Sequence, residues 1–189
     1  MERIVYIEKP FPYKSNEANR RNILKILVHD LNEQDFLQLR INNNDFKVIN
    51  ANTASAPCVG CFNCWFKTPG KCKINDCLQE IGSLMGNSEE TIIISQNFYG
   101  GYSEQVKKVL DRGVSASTPF FTYRSWKIRH VKRYRLKRKK LTVILYGNFF
   151  ETEAKAAERI VEANRSTMGF KKADFFMINN VNEIGWILT

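Results

Sequence analysis

The sequence predicts an α/β domain built on a doubly wound, five-stranded parallel sheet, from three observations. Short runs of β-branched and apolar residues recur along the chain, segments of helical periodicity separate them, and turn-rich loops follow the runs. Strands that are apolar almost without interruption are those buried on both faces, and right-handed crossovers place helices on each face of such a sheet. With 189 residues and 43% hydrophobic content, the chain can bury one core, so a single domain over 1–189 is the expectation.

The elements follow in order. Arg3-Ile4-Val5-Tyr6-Ile7-Glu8 reads as the first strand, and the two prolines in Lys9-Pro10-Phe11-Pro12-Tyr13-Lys14 turn it into a loop. Ser15 or Asn16 caps a helix whose apolar positions Ile23, Ile26, Leu27 and Leu31 repeat at helical spacing. Phe36 to Ile41 suits either an extension of that helix or a short strand, and Phe46-Lys47-Val48-Ile49 is the second strand. Asp76, with Gln79 three residues on, starts a second helix with a stripe of Leu78, Ile81, Leu84 and Met85. Thr91-Ile92-Ile93-Ile94-Ser95 is a fully buried third strand. Ser103 caps a helix carrying Val106, Val109 and Leu110, and Leu141 to Leu145 form the fourth strand. Ala154 to Asn164 form a helix with Ala157, Ile160 and Val161 inward, and Ala173 to Ile178 close the sheet.

No run approaches the roughly 18 apolar residues of a membrane span, and the chain starts on a strand-like run without a charged-then-apolar leader, which predicts a soluble protein that is not exported. Five cysteines is an odd number, and four of them fall within Cys58–Cys72. That crowding is unlike a disulfide framework and points to a reducing compartment, the cytoplasm. The formal charge of +10 is concentrated: from Arg124 to Lys140 there are ten Lys or Arg and no Asp or Glu.

In a doubly wound sheet ligands sit at the carboxyl ends of the strands, near the point where strand order reverses. Three loops lie there. The first brings Lys14, Ser15, Asn16 and Asn19 to a helix N-terminus, where free N–H groups favour a phosphate or make an ordinary cap. In the second, Asn97-Phe98-Tyr99-Gly100-Gly101-Tyr102, glycines admit a close backbone approach, and the aromatics either flank a planar ring or pack in the core. The third repeats the theme with Gly147 and Asn148. Separately, Cys58, Cys61, Cys64 and Cys72, spaced C-x2-C-x2-C-x7-C, offer four soft ligands to an iron–sulfur cluster or a zinc ion, or are reduced thiols that bind nothing.

The run Cys58-Val59-Gly60-Cys61-Phe62-Asn63-Cys64-Trp65, then Lys67-Thr68-Pro69-Gly70, then Phe98 to Ser103, Val106-Lys107 and Asp111-Arg112 resembles the NADPH-dependent FMN reductase branch of the flavodoxin-like superfamily, some of whose members are iron–sulfur flavoproteins. The resemblance spans about Phe46 to Arg138 and implies the sheet order 2-1-3-4-5. It implies FMN, with Ser15 and Asn16 at the phosphate and Asn97, Phe98, Tyr99, Gly100 and Gly101 at the ring. It further implies NAD(P)H as hydride donor, a separate electron acceptor, and a homodimer or tetramer. In relatives that hold a [4Fe-4S] cluster, the cysteines fall as Cys58, Cys61, Cys64 and Cys72 do; Cys77 is then a small buried helix residue. The flavin supplies the redox chemistry, so no catalytic side chain is assigned. Three departures stand out: Lys9 to Tyr13 in place of a glycine-containing loop, Asn97 in place of a proline, and Asp76-Cys77 in place of paired aspartates.

Between Thr118 and Lys140, Phe120, Phe121, Tyr123, Trp126 and Tyr134 interleave with Arg124, Lys127, Arg129, Arg133 and Arg135. Interleaved stacking and basic groups suit single-stranded nucleic acid. The competing readings are a long loop covering the flavin or a dimer interface, and cations that steer the phosphates of NADPH. His130 has no second histidine at ligand spacing, and His29 falls in the expected first helix. An NAD(P)H-dependent oxidoreductase, an electron-transfer or redox-sensing flavoprotein and a nucleic-acid-binding module therefore remain in contention.

Overall fold

The computed structural model describes residues 25–39, 41, 46–124, 126–134 and 140–188. The expected first strand at Arg3–Glu8, its loop, and Lys14, Ser15 and Asn16 lie outside the described residues, as do Arg135 and the four residues after it.

The sheet starts where the sequence suggested a helix. Strand β1 is Lys25–His29, with Ile26, Leu27 and Val28 all fully buried. The spacing Ile26, Leu27, Leu31 matches a helical stripe by coincidence. In the strand, alternation sends Ile26 and Val28 to one core cluster and Leu27 to the other, which a one-sided helix would not do. His29 is thus the last residue of a strand, not part of a helix.

Helix α1 (Glu33–Gln38) and strand β2 (Lys47–Asn50) follow. After the cysteine-rich segment and the one-turn helix α2 (Asn63–Phe66), helix α3 (Ile81–Asn87) buries Ile81 and Met85. Leu78, expected on that helix, sits buried in the turn before it. Strand β3 (Glu90–Gln96) has an uninterrupted buried interior, and α4 (Glu104–Arg112) starts at Ser103, whose hydroxyl accepts from the Val106 N–H as an N-cap. Strands β6 (Lys140–Tyr146) and β7 (Lys172–Ile178) flank α5 (Glu151–Met168), and α6 (Ile184–Leu188) comes last.

Among its described residues the basic segment is largely strand rather than loop. It forms an antiparallel hairpin of β4 (Ser117–Arg124) and β5 (Lys127–Lys132), turning at Trp126 in the left-handed region.

The five remaining strands pair in parallel in the order β2-β1-β3-β6-β7. Counting those strands alone, this is the expected 2-1-3-4-5, with the switch point between β1 and β3. Helices α3, α4 and α5 cover one face through Met85, Val106, Val109, Ala157 and Val161, while α1 and α6 cover the other through Phe36 and Ile184. Among the described residues no helix is long and apolar enough to cross a membrane.

Candidate functional site

At the carboxyl end of the sheet, the loops after β3 and β6 form one rim. Phe98 and Gly101 exchange both backbone hydrogen bonds (3.0 and 2.9 Å), closing a tight turn with Tyr99 and Gly100 at positive φ. Asn97 joins this turn to its neighbours. Its amide donates to the Asn148 carbonyl (3.1 Å) and to the Glu153 carboxylate (3.0 Å) at the start of α5, and its side-chain oxygen accepts from the Gly100 N–H (3.0 Å). The departure from proline at position 97 is thereby explained, since a proline would supply none of these three bonds.

Phe98 and Tyr99 project from the turn, 65% and 80% exposed, with ring centroids 5.0 Å apart. Gly147, at φ +109°, has open space where a side chain would begin. These residues can flank a planar heterocycle.

Two expected ring residues act otherwise. A Cβ on Gly100 would meet the Glu153 carbonyl oxygen at 2.6 Å, so this glycine is required by packing against α5 rather than by a ligand. Tyr102 turns away from the rim into the protein, accepting from Asn164 (2.9 Å), and burial pushes its phenol up to about 12.

The turn after β1 holds the residue that the sequence reading missed. Asp30 accepts from the Gln96 N–H at both carboxylate oxygens (2.9 and 3.1 Å) and from the Tyr146 hydroxyl (3.0 Å), bridging β1, β3 and β6. Leu31 beyond it is buried, and Asn32 caps α1 by accepting from the Asp35 N–H (2.8 Å). Burial raises the Tyr146 phenol, and the charge of Asp30, then that of Asp35, adds to it. The rim thus offers exposed aromatic faces, whereas the turn after β1 presents carboxylates. Reading Ile26, Leu27 and Leu31 as one face of a helix hid Asp30. The signal was present in Lys25-Ile26-Leu27-Val28-His29, an apolar run one crossover ahead of β2.

The cysteine-rich segment makes one wall of a second region, a cavity of about 980 Å³ bounded also by α4, α5 and the hairpin. All four of Cys58, Cys61, Cys64 and Cys72 line it. They do not close on a common centre: among the described residues no three His, Cys, Asp or Glu side chains gather as a metal requires. Phe62, in the left-handed region, starts α2 so that Cys64 is half-buried while Cys58 and Cys61 stay exposed. As arranged here the cysteines do not fit a [4Fe-4S] cluster. Burial pushes the Cys64 thiol up, whereas hydrogen bonds from Asn63 lower that of Cys61. Cys77 is exposed and outside any helix, correcting the expectation of a buried helix residue.

Arg112 anchors this segment. Its side chain is fully buried, pairs with both carboxylate oxygens of Asp76 (2.7 and 2.9 Å) and donates to the Ala56 carbonyl (2.7 Å). The guanidinium holds the Asp76 carboxyl below its usual value. Asp76 does not cap a helix as expected; it accepts from the Ala56 and Leu78 N–H groups in a turn.

In the hairpin, Trp65, His130 and Phe121 form a chain of ring contacts at 5.1 and 4.5 Å, docking one face on α2. The register sets Phe121 opposite His130 and Tyr123 opposite Ile128 on that face, and Thr122 opposite Arg129 on the other.

No protein-family profile matches the chain. An iron–sulfur flavoprotein of Methanocaldococcus jannaschii is 41% identical over 56 residues, 30% of this chain and 28% of the relative's own length. The structure is similar to the NAD(P)H:quinone oxidoreductase of Methanothermobacter marburgensis (TM-score 0.54, 12% identity, 88% of this chain and 95% of that one). It is also similar to an FMN-dependent NADH-azoreductase of Bacillus anthracis, solved with FMN (TM-score 0.52, 14% identity, 87% and 98%). These likenesses establish a flavodoxin-like fold and agree with the resemblance read from the sequence motifs.

Proposed function

We propose that this chain is a flavin-dependent NAD(P)H oxidoreductase, with the isoalloxazine ring received on the rim formed by Asn97–Gly101 and Gly147-Asn148. One observation carries the reading: at the carboxyl end of the sheet, Asn97 locks the loops after β3 and β6 into a single edge that presents exposed aromatic and backbone groups to one place. The solved neighbours named above use nicotinamide and, in one case, FMN, which supports the same class.

A bound flavin takes hydride from the nicotinamide and hands electrons to an acceptor. The chain's own part is positional. Asn97 fixes the turn, Phe98 and Tyr99 offer ring faces, and Gly147 leaves room beside them. No side chain has to accept or release a proton at the rim. Arg129 and Lys132 line the adjoining cavity and suit the phosphates of a nicotinamide dinucleotide by long-range attraction.

The test is an anaerobic absorbance spectrum of the purified chain, supplied in turn with FMN and riboflavin, before and after NADPH or NADH. Protein-bound flavin absorbance that bleaches on nicotinamide addition is the expected result. Bound flavin that bleaches only with an added redox protein would favour an electron carrier. A chain that retains neither flavin overturns the proposal.

A further inference from the structure

Resting on the flavin reading above, we infer that Asp30 makes the turn after β1 reject a phosphate monoester, so that the flavin selected is one without a 5′-phosphate.

In doubly wound folds an anionic ligand group is received beside the turn after the first strand, on backbone N–H groups that the chain leaves free. Here the corresponding position is the end of β1, and a protein carboxylate stands in it. Asp30 takes the Gln96 N–H at 2.9 and 3.1 Å and the Tyr146 hydroxyl at 3.0 Å, and the Ser95 hydroxyl lies 3.5 Å from it. The Gln96 N–H and the Tyr146 hydroxyl are therefore engaged by an internal anion.

Two further features act in the same sense. The first turn of α1 carries Glu33 and Asp35, so three acidic residues fall within the six positions from Asp30 to Asp35. The N–H of Asp35 is already taken by the Asn32 side chain, and the Asn32 amide also donates to the Asp35 carboxylate (2.8 Å). Leu31, 1% exposed, packs into the core at the position where a phosphate-binding turn would use glycine to bring its backbone close. A phosphate dianion here would face these like charges. An uncharged ribityl terminus carries no such penalty, and its hydroxyl could donate to the Asp30 carboxylate.

The experiment is a fluorescence-quenching titration of riboflavin and FMN into the purified chain, its Asp30→Ser variant and its Asp30→Asn variant. The asparagine keeps an acceptor for Gln96 and Tyr146, so the corner stays closed without the charge. Riboflavin should bind the wild type at least tenfold more tightly than FMN. Both variants should reduce that ratio at least tenfold, through tighter FMN binding. FMN binding as tightly as riboflavin to the wild type, or a ratio that neither variant moves, overturns the inference while leaving the flavin reading intact. Failure of all three proteins to bind either flavin overturns both.

Discussion

The rim at the carboxyl ends of β1, β3 and β6 and the cysteine-rich region beneath the hairpin differ in charge and in how they are held. Around the rim lie Asp30, Glu33, Asp35 and Glu153, and its shape comes from many modest hydrogen bonds, three of them made by Asn97. The cysteine region has Arg112, Arg129, Lys132 and Arg133 about it and depends on one buried ion pair, with Val59, Phe62 and Phe66 left exposed. A distributed network loses little with any one bond, whereas a region hung on one buried charge fails with its partner. In a chain with a formal charge of +10, the place proposed for the cofactor is the acidic one.

The sharpest way to break this contrast is Asp76→Ala. It leaves the Arg112 guanidinium buried without a counter-ion and should cost about 3–5 kcal/mol. Thiol-reactive dye should then label the half-buried Cys64 and Cys72 much faster, while flavin binding at the rim changes little. Equal loss in both regions would show that they are one cooperative unit.

Gly100→Ala probes the other side. A left-handed φ of +79° and a carbonyl 2.6 Å from the new Cβ together should cost about 2–4 kcal/mol. Flavin affinity should fall with it, and cysteine labelling should not change.

The smallest effect is a pH dependence. His29 is 2% exposed and stacked on Phe36, and burial lowers its pKa, with Asp30 partly opposing the shift. The unfolded chain thus binds the proton more readily than the folded one. Stability is fully present above the unfolded value of about 6.5 and falls as pH drops below it, by at most about 1.4 kcal/mol per pH unit. Urea midpoints measured at pH 7.5 and 5.5 should fall for the wild type and fall less for His29→Leu.

The parts of the fold visible in the sequence are those where one physical signal dominates. The cores of β3 and β6 are nearly continuous apolar runs, Phe175 to Ile178 carry β7, and Ser103 is an unambiguous cap. What misled is where two periods coincide: Ile23, Ile26, Leu27 and Leu31 satisfy a helical stripe, although Ile26 and Leu27 face opposite sides of the sheet. Reading that stretch as a helix concealed Asp30. The hairpin was hidden for a related reason, because an alternation of rings and cations resembles a solvated loop until the cross-strand partners are known. Of the residues expected at the ring, Asn97, Phe98, Tyr99, Gly147 and Asn148 lie together along the rim. Tyr102 does not, since its hydroxyl finds Asn164 inside the protein.

Arg112 reaches the Ala56 carbonyl, the Ile74 carbonyl and the Asp76 carboxylate, so one guanidinium clasps both feet of the segment running from Cys58 to Lys73. The span between those feet behaves as a cassette. A protease cut within it leaves two fragments fastened at the same point, and the nicked chain should elute as one particle until denatured. By the same token, a graft that changes the length or composition of that span while sparing Ala56, Asp76 and Arg112 leaves the sheet and its rim undisturbed.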